Sequence, residues 1–181
     1  MLEAAVILAC QEAAVVEAIE YFDVDGVTAA AIFSDMQSKG PNISTKGAHA
    51  LAATHADYRH ESEMVYRRDG RCVTINLTVS LTLTYQIPRW ADEAEASEAV
   101  RNWWNRIIER IWAHERGHAQ IAREGAAELQ DALLSVPSAA NCDDLRSDLR
   151  RTMQRIIAKE IEPRQRQFDI ENRLAVDVSA R

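Results

Sequence analysis

The clearest pattern in the chain is a two-residue alternation. Val73, Ile75, Leu77, Val79, Leu81, Leu83, Tyr85 and Ile87 alternate with Thr74, Asn76, Thr78, Ser80, Thr82, Thr84 and Gln86. Successive side chains of a strand point to opposite faces, so the segment predicts a half-buried strand, with Pro88 as its stop. A second pattern has the helical period. Trp104, Ile107, Ile111, His114, His118, Ile121, Gly125 and Leu129 recur every three or four residues. They predict one apolar face on a helix from about Glu98 to Ser135, and the acidic stretch from Asp92 to Glu98 suits its start. A third stripe, Leu145, Leu149, Met153, Ile156 and Ile157, predicts another long helix from near Asp143, which Pro163 should kink or end.

Shorter signals fill the remainder. Residues 19–24 (IEYFDV) read as a short strand and Asp25-Gly26 as a turn. Thr28 can cap a helix running to about Lys39, which Gly40-Pro41 stops. Residues 40–47 form a polar loop and 49–66 a strand of poor alternation. Arg68-Asp69-Gly70 is a hairpin turn signal. The whole predicts an α+β fold: a small, mainly antiparallel sheet with one crossing helix, followed by a long two-helix hairpin. There is no repeat and no dividing linker. Residues 19–175 read as a single domain, between an N-terminal segment, 1–18, and a tail, 176–181.

Composition narrows the partners. A chain of 181 residues suits one core. Its net charge of −7 argues against nucleic acid, which needs a basic face. The arginines between Arg146 and Arg166 are interspersed with acids and read as a solvated helix face. No run approaches the roughly 18–20 apolar residues of a transmembrane span. The first 18 residues lack a basic start and contain Glu3, so they fail as a signal peptide, although a truncated export segment would look similar. Ile7-Leu8-Ala9-Cys10 has a lipobox-like look behind too short an apolar run. Of three cysteines, Cys72 and Cys142 could pair in an exported protein and would stay reduced in the cytosol.

One segment carries chemistry. His114-Glu115-Arg116-Gly117-His118 matches H-E-x-x-H. On a helix the two histidines sit one turn apart on one face, so both imidazoles can reach one ion. Zinc suits neutral imidazole, and catalytic zinc sites use three protein ligands and leave a position for water. Glu115 is then placed to act as the general base. With five histidines in the chain, a chance match has a probability on the order of one in a hundred. The competing reading is two core histidines held by hydrogen bonds. Gly117 costs about 1 kcal/mol in a helix relative to alanine, which a close approach of backbone or substrate would explain. If the helical hairpin turns between Ser135 and Asp143, His118 faces the region of Glu160. That makes Glu160 the first candidate for third ligand, with Asp169 and Glu171 as rivals. His49 reads as a loop residue. His55, His60, Tyr58 and Tyr85 are candidate electrophiles, and the strand before the hairpin could take an extended peptide by β-addition. The four tryptophans read as core.

Taken in order, several short segments resemble the bacterial family of predicted secreted zinc-dependent proteases catalogued as domain of unknown function 922. They are Tyr21-Phe22-Asp23-Val24-Asp25-Gly26-Val27-Thr28, Gly40-Pro41, the Gly47 to Thr54 segment, Cys72 before the alternating strand, Ile87-Pro88-Arg89-Trp90, the H-E-x-x-H motif, Cys142 and Phe168-Asp169. The resemblance runs from about Glu20 to Asp169. It implies a periplasmic or secreted protein, a Cys72–Cys142 disulfide, bound zinc and cleavage of peptide or protein substrates. The chain departs from the family pattern near its end, where Leu174 stands in place of a late histidine. That departure keeps a second expectation alive, a non-catalytic envelope protein that binds zinc or a partner on the same fold.

Overall fold

The computed structural model describes residues 13–42 and 49–179. Cys10, the rest of the segment before Ala13, and most of the polar loop including Gly47 lie outside the described residues. Among these residues the elements run β1 (Ala14–Val24), α1 (Ala29–Lys39), β2 (Ala53–Tyr66), β3 (Cys72–Trp90), α2 (Glu98–Leu134), α3 (Cys142–Ile156), a π-helical turn (Ile157–Ile161) and α4 (Glu162–Glu171). The fold is α+β.

The sheet has the order β1-β3-β2 and is mixed. β2 pairs with β3 as an antiparallel hairpin, but β1 lies parallel to β3. The expected mainly antiparallel sheet is corrected on that point. α1 carries the chain from β1 across to the opposite edge, which makes a parallel β1–β3 pair possible. β1 also begins at Ala14, five residues before the predicted strand.

β3 is the central strand, and its alternation is realised from Leu77 to Ile87, whereas Ile75, expected on the buried face, is exposed. Leu77, Val79, Leu81, Leu83, Tyr85 and Ile87 are buried beneath α2, while Thr82 and its neighbours line the open face. Pro88 does not stop the strand. β2 pairing ends at Gln86, so Pro88 keeps a neighbour on the β1 side alone, at Phe22. A missing N–H is tolerated at such a one-sided position. Where the pairing with β1 gives out, just before Ser80, a helix side chain takes over the backbone groups of β3. Buried Gln130 of α2 accepts from the Val79 N–H at 2.7 Å and donates to the Leu77 carbonyl at 3.0 Å.

α2 is a 37-residue helix, started by Ser97, whose hydroxyl accepts from the Val100 N–H. Its buried stripe includes Trp104, Ile107, Ile111, Glu115, Ala119, Ala122, Ala126 and Leu129. The two motif histidines flank this stripe. α3 begins at Cys142, which forms a disulfide with Cys72 at the start of β3. Beside it, Cys72 and Ala139 exchange backbone hydrogen bonds of 3.0 and 3.1 Å. The α2–α3 turn is therefore fastened to the sheet twice.

The helical hairpin continues past Pro163, which sits in the first turn of α4. An ordinary helix would set its ring against the carbonyl four residues back. The π-turn just before it widens the backbone instead and shifts the inward face. Ile156 and Ile161 are both buried, at a spacing of five rather than three or four. Ile161 packs where Gly125 leaves room on α2: a Cβ on Gly125 would lie 2.6 Å from Ile161 Cδ1.

The disulfide spans a sequence separation of 70 residues. The chain-entropy relation assigns such a loop a stabilisation of about 4 kcal/mol. Reducing it, or replacing both cysteines by serine, is expected to lower unfolding stability by about 2–5 kcal/mol in a denaturant titration. A change below about 0.5 kcal/mol would show that the link does not constrain the unfolded chain.

Candidate metal centre

The two motif histidines stand one turn apart on the flank of α2 that faces α4. Their Nε2 atoms are 3.2 Å apart. Asp169 of α4 completes a triangle, its Oδ1 2.9 Å from His118 Nε2 and 3.3 Å from His114 Nε2. Zinc bonds of 2.0–2.1 Å in a tetrahedron place neighbouring ligand atoms about 3.3 Å apart. The three donor atoms are thus spaced like one face of a zinc tetrahedron, and two imidazoles with a carboxylate are a suitable donor set. Asp169 has 58% of its side chain exposed, so the fourth direction opens to solvent.

Asp169 reaches the histidines because α4 approaches α2 at a glycine. Phe168 packs its ring edge against Gly117. A Cβ there would lie 2.1 Å from the ring's Cζ and 2.8 Å from both Cε atoms. The same ring sits 5.2 Å from the His114 ring and 4.9 Å from that of His118. The unfavourable helical glycine is thereby explained by close packing of a side chain. Gln165, one turn before Asp169, bonds His118 at both its ring and its backbone.

Glu160 is not in the cluster. Its carboxylate pairs with Arg155 at 2.9 Å on the exposed side of the hairpin. The expectation that Glu160 continues the α3 stripe assumes a constant helical period. The π-turn breaks that period, gives the inward place to Ile161 and turns Glu160 out. His118 therefore faces Gln165 and Asp169, about one and a half to two and a half turns further along. Glu171 takes a hydrogen bond from Gln167 instead.

Glu115 lies beside the histidines at the floor of the cleft, turned toward the contact between α2 and the sheet, and is 3% exposed. Its carboxylate accepts from the Thr54 hydroxyl of β2 at 2.8 Å. Burial pushes its pKa above the ordinary value, against the opposing pull of Thr54 and the two histidines. A carboxylate whose pKa is raised accepts a proton more readily than a free one.

The remaining candidates are committed elsewhere. The Tyr58 hydroxyl donates to the Ala122 carbonyl, and burial raises its pKa to about 12. Tyr85 donates to Glu17 and takes a bond from Arg123. His55 contacts Gln86 on the open face of the sheet, and His49 meets the Gly40 carbonyl. Burial lowers the pKa of His60, which projects from β2 beyond the cluster. Trp90, Trp103 and Trp104 are core residues, and Trp112 packs on Tyr85.

A cleft of about 1150 Å³ opens over the cluster. One wall is β2 from Ala53 to Tyr58, which is an edge strand. The other carries Ile157, Ile161, Gln165 and Asp169, with Arg173 and Leu174 at one end. Thr54 and Gln165 are site residues that sequence reasoning missed. Neither has a local signal, since each gains its role from a partner about 50 or 60 positions away.

An α+β fold with a His-His-Asp cluster between a long helix and α4, beside a buried glutamate, describes the site. Residues 19–175 match the family described as bacterial protein of unknown function (DUF922), and the chain belongs to that family. No curated protein and no solved structure matches it.

The Gly117–Phe168 contact can be tested by a change of sign. Gly117→Ala alone should destabilise by about 1–3 kcal/mol through overpacking. In a Phe168→Ala background the same change should stabilise by up to about 1 kcal/mol, through helix propensity. Thermal unfolding of the four proteins measures both steps, and equal effects in the two backgrounds would show that the contact is not made.

Proposed function

We propose that the protein is a zinc-dependent endopeptidase working in an oxidising compartment, periplasmic or extracellular. The observation that carries this reading is the triangle of His114 Nε2, His118 Nε2 and Asp169 Oδ1, spaced as zinc requires. The disulfide supports the compartment, because such bonds persist where thiols are not kept reduced. Among the described residues no helix is long and apolar enough to cross a membrane.

His114, His118 and Asp169 would hold the ion. Zinc bound there supplies Lewis acidity, which acidifies water and polarises a carbonyl. The protein's own groups do the rest. Glu115, shielded from solvent and oriented by Thr54, takes a proton from the attacking water and returns it to the leaving amine. The free edge of β2 offers backbone groups to an extended peptide, which fixes the scissile bond across the cluster. The open cleft suits internal segments of a chain rather than a small enclosed ligand.

A second reading has one observation in its favour. Leu174 lines the cleft, where the resemblance implies a histidine. A protein that keeps the metal and grips a peptide without cutting it would need no donor there.

Elemental analysis should find about one zinc per chain after reconstitution, as for a single closed donor set, and none in His118→Ala. Glu115→Gln should retain the zinc but lose about 10²–10⁴-fold in hydrolysis of a peptide library. Zinc with no chelator-sensitive cleavage by the wild type would favour the binding protein. No zinc in either protein would remove the peptidase reading and leave a partner-binding protein on the same fold.

A further inference from the structure

Gln165 of α4 bonds both the ring and the backbone of a single residue of α2, His118. The Gln165 amide nitrogen is 3.0 Å from the backbone carbonyl oxygen of His118. A carbonyl only accepts, so the NH₂ end of the amide must point at it. That settles which way the amide lies. Its other end, Oε1, is then the atom 2.6 Å from His118 Nδ1. An amide oxygen also only accepts, so Nδ1 must carry the ring proton.

We propose that Gln165 is a positioning residue which locks His118 in the Nδ1–H form and aims the Nε2 lone pair at the metal. The inference rests on the zinc reading above. A neutral imidazole has one N–H, and Gln165 claims it. The Nε2 lone pair is then left facing Asp169 Oδ1 at 2.9 Å and His114 Nε2 at 3.2 Å. An ionised carboxylate brings only lone pairs to that meeting. A single added proton relieves one contact of the triangle, whereas a cation in its open direction relieves all three.

The two histidines differ in this respect. His114 Nδ1 is buried and has no hydrogen-bond partner among the described residues. Its ring is held by packing on Phe168 and edge-on against His118, with no hydrogen bond at Nδ1. The pair therefore consists of one ring fixed in tautomer and rotation and one fixed only by shape. Loss of an outer partner of a metal-binding histidine typically costs 10–100-fold in affinity, and here that whole cost should fall on Gln165. The placement also makes α4 bring two contributions together. Gln165 and Asp169 are one turn apart on the same helical face, so the turn that delivers the carboxylate also orients the histidine opposite.

Zinc affinity of the full chain, measured by competition with a chromophoric chelator, tests this. Gln165→Leu keeps the bulk and removes both hydrogen bonds, and it should bind zinc 10–100-fold more weakly than the wild type. Gln165→Glu keeps an acceptor for Nδ1–H and should stay within about threefold, since carboxylate–histidine–zinc arrangements serve the same purpose. A readout independent of folding is the His118 Nδ1–H proton resonance of the zinc-loaded protein. It should exchange slowly with water in the wild type and in Gln165→Glu, and rapidly in Gln165→Leu. Wild-type affinity in Gln165→Leu, or equal losses in the leucine and glutamate variants, would overturn the inference while leaving the zinc reading intact. A wild type that binds no zinc would overturn the zinc reading itself, and this inference with it.

Discussion

The packing of Phe168 against Gly117 is the contact on which the site depends. α4 contributes no buried residue of its own. It is held to α2 by that ring, by the paired bonds of Arg164 to Glu128, and by Gln165. The Arg164–Glu128 fork is bidentate but partly exposed, so it adds to the docking while the aromatic contact sets how closely the helices approach. With a side chain at position 117 the helix would stand further off. Asp169 and Gln165 would then lose their reach, and His114 and His118 would be two imidazoles on the edge of a helix. The π-turn belongs to the same constraint. It lets the hairpin pass Pro163, seats Ile161 against Gly125 and turns the face bearing Gln165, Phe168 and Asp169 toward α2.

The motif then divides its work by helical angle. Adjacent residues on a helix point about 100° apart, so Glu115 and its histidine neighbour face different surroundings. His114 and His118 look toward α4, and all three residues, Glu115 included, line the cleft. Glu115 looks toward the sheet, where Thr54 of the edge strand meets its carboxylate. The strand proposed to hold substrate is therefore also the strand that orients the proposed base. The disulfide and the Cys72–Ala139 bridge fasten the far end of the hairpin to β3. The middle of α2, which carries the site, is thus positioned by a helix whose C-terminal turn is fastened to the start of β3.

Much of this was legible in the sequence, for reasons that differ by element. The strand through Leu77–Ile87 and the long helix were plain because period two and period 3.6 are written directly in burial. α1 was legible from Thr28 and Gly40, which act within a few residues of themselves. The parallel placement of β1 was not, because strand pairing is a long-range choice that a six-residue apolar run does not encode. Glu160 misled because a carboxylate at helical spacing looks inward until a π-turn changes the spacing. Pro163 was the available clue, read as a kink rather than as the cause of a phase shift. Gly117 was recognised as costly and in need of a close neighbour, although the neighbour, Phe168, lies 51 positions away. Thr54 and Gln165 carry no signal of their own, since a threonine in a strand and a glutamine on a helix are ordinary.

The central claim is that α2 and α4 together supply three donors to one zinc ion. X-ray diffraction at the zinc edge from crystals of the zinc-loaded protein would test it most directly. The account predicts a single anomalous peak bonded to His114 Nε2, His118 Nε2 and Asp169 Oδ1, with Glu160 still paired to Arg155. A peak elsewhere, or one bonded to the two histidines with Asp169 turned away, would contradict it.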